Sequence, residues 1–299
     1  MLKNLVRQAP MNLSPQVIAL GSAISYAAAT IAARFGMKHS NPVTMTLISF
    51  TTQTVVFWSL VLLSGSIPEI SYFPAVLFVG IGFVMPVIRT LTYLGIVTMG
   101  ASRSVSLRSS YPLFGALFAL IFLNEELKPL VLAGTLLVVS GTFFITWQRK
   151  DDPSAGRWWH ALFPLTAALI SGLIQPVVRY GLTVSYYPLF STALVGVTSL
   201  SAYLSFLPLI KRFQRPIWSR KGLKSLIIAA LLENLGFLLF ITAFGLAPVA
   251  TVSPLIATSP MWVVLAALLI FRDLEQVSLR TIIGTALTVA GTIVITLRG

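Results

Sequence analysis

Ten apolar stretches, each near the roughly 20 residues that a bilayer demands of a helix, divide this chain from end to end. They run over 15–36, 43–64, 72–95, 101–122, 129–147, 158–181, 188–210, 223–246, 249–271 and 277–297. No other feature constrains the fold as strongly. A backbone that crosses lipid must satisfy its own hydrogen bonds, and a helix does so within one segment. Charged residues make up only 10% of the 299, against about 25% in a soluble domain. The sequence therefore predicts an all-α polytopic membrane protein, multi-pass, with a bacterial inner membrane as its expected place.

The first stretch has the basic flanks and Ala-rich end of a secretory signal. A later one mirrors it, with Arg34-Phe35-Gly36 answered by Arg179-Tyr180-Gly181, so it is read as a span. The net charge of +13 falls mostly in short connections, where anionic lipid surfaces select for it; nucleic acid is not implied as a partner. The absence of Cys excludes disulfides and thiolate chemistry. The two histidines, His39 and His160, fall at span ends, which leaves no histidine cluster for a metal. No cofactor is expected. No GxxxxGK[ST] motif marks an ATP site, so energy must come from a gradient or from exchange. HExxH and a buried acidic pair are also missing, which argues against an intramembrane enzyme.

The internal repeat carries most information about organisation. GTLLVVSGTFFIT at 134–146 and GTALTVAGTIVIT at 284–296 match at eight of thirteen positions. Glu125 precedes Gly134 by nine residues, as Glu275 precedes Gly284, and Pro112 and Pro260 hold equivalent places. Two copies follow, 1–147 and 158–299, joined by the polar linker 148–157 (QRKDDPSAGR). Five spans per copy is an odd number, so the copies enter the membrane from opposite sides: ten helices as an inverted repeat of two five-helix halves, an architecture of alternating-access carriers.

Two spans break the apolar pattern. ASRSVSLRSSYP at 101–112 is half polar with two full charges, then 113–122 is wholly apolar. VATVSPLIATSP at 249–260 precedes MWVVLAALLIF in the same way. A central Arg facing lipid costs at least a few kcal/mol, so these halves must face protein or water. Each pivots on a proline, Pro112 or Pro260, as interrupted helices at transport sites do.

With these motifs, SSYPLFGALFALIFLNEEL…GTLLVVSG and ATSPMWVVLAALLIFRDLE…GTALTVAG, the chain resembles the EamA-type drug/metabolite transporter superfamily over essentially its whole length. That resemblance implies ten helices in two five-helix copies. It implies a substrate cavity between the copies, lined partly by the helices that hold Pro112 and Pro260. Members are similar to exporters of small metabolites and to sugar-phosphate and nucleotide-sugar antiporters.

Counting Lys and Arg in connections gives four on the side of the termini and eleven on the other, which places the termini outside and the linker on the cytoplasmic side. Arg34 and Arg179, matched by the repeat, read as anchors capping helix ends. Glu125 and Glu275 read as loop caps. Gly134, Gly141, Gly284 and Gly291, spaced by seven, imply close packing within the chain or a homodimer through 129–147 and 277–297.

Charges without a repeat counterpart are the candidates for function. Arg89 aligns with Phe237, Arg103 with Thr251, Arg108 with Ile256 and Glu233 with Met85. At 1.5 Å per residue, Arg89 lies roughly 9 Å deep, Arg108 about 10 Å and Glu233 roughly 15 Å. Arg103 begins its span and reads as interfacial. The fork of Arg108 or Arg89 suits carboxylate or phosphate. Ser106, Ser109, Ser110, Asn234, Ser253 and Thr258 offer neutral hydrogen bonds, and Tyr93, Tyr111 and Trp262 apolar walls. Glu233, the one acid within any span, is the proton-coupling candidate or else a structural partner for an Arg. The reading is a secondary carrier exporting a small anionic or zwitterionic metabolite, amino-acid-like, carboxylate or phosphorylated, by proton antiport or exchange. A flippase for a lipid or lipid-linked sugar and a multidrug exporter are the alternatives. The latter is weakened because 15–36 holds no acid.

Overall fold

The computed structural model describes residues 13–65, 67–68, 70–99, 101–126, 128–146, 158–270 and 279–298. Among them are twelve α-helices and one 3-10 turn, and no strand. We number them α1 (Pro15–Met37), α2 (Pro42–Leu63), α3 (Tyr72–Met99), α4 (Ala101–Arg108), α5 (Tyr111–Leu123) and α6 (Pro129–Thr146). Beyond the linker, which lies outside the described residues, come α7 (Leu162–Val184), α8 (Pro188–Phe213), α9 (Arg220–Leu246), α10 (Val249–Ile256), α11 (Ser259–Ile270) and α12 (Leu279–Arg298). Among the described residues, seven helical segments are long and apolar enough to cross a membrane, and three shorter apolar ones span Tyr111–Leu123, Pro129–Ile145 and Ile282–Leu297.

Proline sets many of the helix starts. Four helices begin on it (Pro15, Pro42, Pro129, Pro188), since the first turn has no use for the missing N–H. Asn41 caps α2 by accepting from the Thr44 amide at 3.1 Å. At the other end of α5, Asn124 closes the helix in the left-handed region, φ 51°, which Asn tolerates better than most residues.

The two stretches that the sequence reads as pivoting on a proline are broken helices. The fourth stretch is the helix pair α4 and α5, and the ninth is α10 and α11. In each case the second helix carries its proline at the second position. Pro112 and Pro260 cannot donate to the carbonyls of Arg108 and Ile256 four residues back, and those are the last residues of α4 and α10.

The chain divides into two compact units, Met1–Pro86 with Val177–Leu246, and Val87–Pro176 with Ala247–Gly299. Each unit therefore draws on both sequence copies, and the division falls at the prolines inside α3 and α7.

In unit 1, α1 runs antiparallel to α9: Gly36 lies against Leu226 and Gly236 against Tyr26. Ser22 Oγ donates to the Gly236 carbonyl at 2.8 Å. α2 runs antiparallel to α8, with Trp58 edge-on to Phe190 and Phe50 edge-on to Tyr203. Gln53, buried in their contact, donates to the Thr192 carbonyl at 3.2 Å. Pro86 leaves the Gly82 carbonyl without its helical donor, and Ser199 Oγ of α8 supplies one at 3.0 Å.

In unit 2, α6 and α12 form the closest helix pair. A Cβ on Gly134 would stand 3.0 Å from the Gly291 carbonyl oxygen, and one on Gly291 2.6 Å from that of Gly134. The pair is antiparallel, and its glycine faces are taken up by each other. On the opposite faces of the two helices, Leu136 and Val289 are exposed. Ala116, Val131 and Ala250 join α5, α6 and α10.

Candidate substrate site

The two interrupted spans are built alike in atomic detail. Before Pro112, Ser109 N–H donates to the Val105 carbonyl and Ser110 N–H to that of Leu107, and the Leu113 amide reaches the Ser110 carbonyl. Before Pro260, Ala257 N–H donates to Ser253, Thr258 N–H to Leu255, and Met261 N–H to Thr258. In each break a hydroxyl reinforces the turn: Ser110 Oγ donates to Leu107 O at 2.8 Å, and Thr258 Oγ1 to Leu255 O at 2.7 Å. The hydroxyl protons of Ser110 and Thr258 are thus committed to the backbone. Each oxygen can still accept, and Thr258 does so from Trp262 Nε1 at 3.2 Å.

The breaks differ in charge. Arg108 ends α4 where Ile256, fully enclosed, ends α10. Arg108 is half-buried, three residues before Tyr111, the first residue of α5. Arg89 is half-buried on the unit 2 part of α3. Ser253 is fully buried on α10, and its Oγ has no hydrogen-bond partner among the described residues. Ser109, like Ser110, bonds back along its helix, to Val105 O at 2.8 Å. The side chains of Tyr93, Arg103 and Ser106 lie outside the described residues, as does Glu275.

The remaining candidates, Glu233 and Asn234, belong to unit 1. Glu233 Oε2 accepts from Ser49 Oγ of α2 at 2.7 Å, and Asn234 Nδ2 donates to the Ser49 carbonyl at 3.1 Å. One residue of α2 thus holds two consecutive polar residues of α9. Arg89 and Arg108 belong to the other unit. The sequence reading passed over Ser49, Gln53 and Gln175. Gln175 is 1% exposed beside Gly115. Each is a polar side chain deep in an apolar span, and that position was the signal that could have found them.

The matched caps carry structural work. Both oxygens of Glu125 accept from the Val249 amide, at 2.9 and 3.2 Å, placing an anion at the start of α10. Such an anion complements the positive end of a helix. Arg179 Nη1 donates to the Phe244 carbonyl at 3.1 Å in the last turn of α9.

Apolar helices of membrane-crossing length, two of the spans interrupted at a proline and polar on one side of it, define a multi-pass membrane protein of transporter type. The family follows from the sequence: the model of the EamA-like transporter family matches residues 13–147 and 158–297, and the chain belongs to that family. Its members are transporters, not enzymes. Among solved structures 29 chains match. One, a crystal structure described only as that of a protein, has a TM-score of 0.78 and 17% identity, covering 95% of this chain and 97% of its own. At that identity the likeness concerns the fold alone. No curated protein matches the chain.

Proposed function

We propose that this protein is a secondary active transporter of the bacterial inner membrane that exports a small anionic or zwitterionic metabolite by alternating access. The substrate is amino-acid-like, a carboxylate or a phosphorylated compound. The observation that carries the reading is the pair of matched helix breaks, only one of which ends in a charge. A break that folds equally well around Ile256 has no structural need of Arg108, and an Arg at the end of a half-helix suits the two oxygens of a carboxylate or phosphate.

The full architecture is an inverted repeat of ten spans, four unbroken and one interrupted in each half. Its support is that repeat-equivalent helices run antiparallel, α2 against α8 in unit 1 and α6 against α12 in unit 2. Arg89, Arg108, Tyr93, Ser106, Ser110, Tyr111, Ser253 and Thr258 of unit 2 and Asn234 of unit 1 are the proposed substrate-binding residues, with Ser110 and Thr258 acting as acceptors. Glu233, on the Ser49 hydroxyl, is the residue that couples export to a proton gradient.

The test begins with thermal-shift screening of the purified protein against a metabolite library. Counterflow in proteoliposomes follows for every stabilising compound. Anionic or zwitterionic metabolites should stabilise the protein and exchange. Leaflet-to-leaflet movement of a lipid, with no exchange of any soluble compound, would replace this reading by a flippase.

A further inference from the structure

One end of unit 1 gathers cations onto backbone that tertiary contacts hold in place. Lys38 caps the end of α1, Arg212 lies in the last turn of α8, Arg215 in the connection that follows, and Arg220, Lys221 and Lys224 open α9. All six are exposed. α1, α2, α8 and α9 meet at this end, and Glu233 is the sole acid on any of them. It lies thirteen residues beyond Arg220, roughly 20 Å along the helix.

Glycine and polar contacts bring these segments together. A Cβ on Gly222 would stand 2.6 Å from the Gly36 carbonyl oxygen and 3.4 Å from His39 Cβ, so the basic end of α1 abuts the basic start of α9. The connection between α8 and α9 is fastened to the start of α2. Asn41 Nδ2 donates to the Arg215 carbonyl at 2.7 Å, Ser40 Oγ to the Ile217 carbonyl at 2.7 Å, and the Ile217 amide to Thr44 Oγ1 at 2.9 Å.

This arrangement opposes the protein's own electrostatics. Three cations with no acid among them stand at the start of α9, where the helix dipole disfavours positive charge. An external anion would relieve that repulsion. Within the same basic run, Trp218 and Ile217 extend outward, 63% and 52% exposed. Trp is characteristic of the headgroup level of a membrane. Cations interleaved with exposed apolar side chains suit a phosphodiester headgroup with acyl chains attached, which a free phosphate would leave half used.

We infer that this end of unit 1 binds an anionic phospholipid. The six cations hold its headgroup, and Trp218 and Ile217 meet its glycerol and upper acyl region. The surface is independent of which metabolite the protein moves.

Native mass spectrometry of the full chain, titrated with phosphatidylglycerol, phosphatidylcholine or inorganic phosphate, tests it. Wild type should retain phosphatidylglycerol over phosphatidylcholine. The same preference should remain in Lys128→Gln/Arg280→Gln, which removes two exposed cations of unit 2. Arg220→Gln/Lys221→Gln/Lys224→Gln should weaken phosphatidylglycerol retention by about tenfold or more. Trp218→Ala, a substitution of an exposed side chain that leaves the fold alone, should weaken it several-fold and keeps the test valid if the triple variant fails to fold. Equal retention of the two lipids, or a Trp218→Ala protein that binds as wild type does, overturns the inference. Displacement of the lipid by millimolar inorganic phosphate would show an anion site without lipid specificity and overturns it as well.

Discussion

Gly141 of α6 and Gly284 of α12 lie face to face. A Cβ on Gly141 would stand 2.5 Å from the Gly284 carbonyl oxygen, and one on Gly284 2.6 Å from that of Gly141. Backbone cannot yield as a flexible side chain can, so Gly141→Ala should destabilise the protein by ~1–3 kcal/mol. Gly80→Ala, at a helical glycine with nothing within 4 Å, should leave stability unchanged or slightly raised. Thermal unfolding of both variants in one detergent makes the comparison.

Arg108→Ala should weaken substrate binding severely while the protein still folds, because Ile256 ends the equivalent half-helix without a charge. Arg108→Lys should restore only part of the affinity, since an ammonium cannot make the bidentate contact. Binding measured beside melting temperature separates recognition from folding. An Arg108→Ala protein that transports normally removes Arg108 from the site.

Glu233→Gln should abolish proton-driven accumulation and leave substrate exchange intact. Ser49 Oγ donates to Glu233 Oε2, and the amide oxygen of Gln can accept the same bond, so the fold should persist. Exchange and gradient-driven transport in proteoliposomes provide the readout. Equal loss of both activities with a lowered melting temperature would assign Glu233 a structural role instead.

Glu125→Ala should cost about 1 kcal/mol, the usual worth of a helix cap, because both carboxylate oxygens serve the first amide of α10. Glu125→Gln should fall between, keeping an acceptor and losing the charge. Denaturation of the three proteins side by side gives the order.

Ser199→Ala should cost about 1 kcal/mol, since it strands the Gly82 carbonyl that Pro86 has already deprived of its helical donor. Pro86→Ala restores that donor, so the cost of Ser199→Ala should shrink in the double variant. A double-mutant cycle on melting free energies measures the coupling.

The apolar helices, the repeat and the two interruptions were legible because each rests on a property local to the chain. Hydropathy over about twenty residues specifies a crossing helix, and a proline removes its N–H wherever the rest of the chain lies. The Glu125 cap was legible as a type of residue in a loop, but its recipient, Val249, was not. For the hydroxyls, the sequence named Ser110 and Thr258 as sources of neutral hydrogen bonds, and the turn before each proline uses their protons.

What only tertiary structure decided is which distant residues meet. Ser49 and Glu233 are 184 positions apart, and either could have faced lipid, protein or water from its own span. The glycine faces of α6 and α12 were equally consistent with a contact inside the chain or with a second copy. Their mutual approach in unit 2 followed from the antiparallel course of the two helices. The compact units cut across the sequence copies for the same reason. A repeat is written along the chain, whereas a packed unit forms wherever complementary helix faces can exclude lipid from one another, and that requires coordinates that no single segment carries.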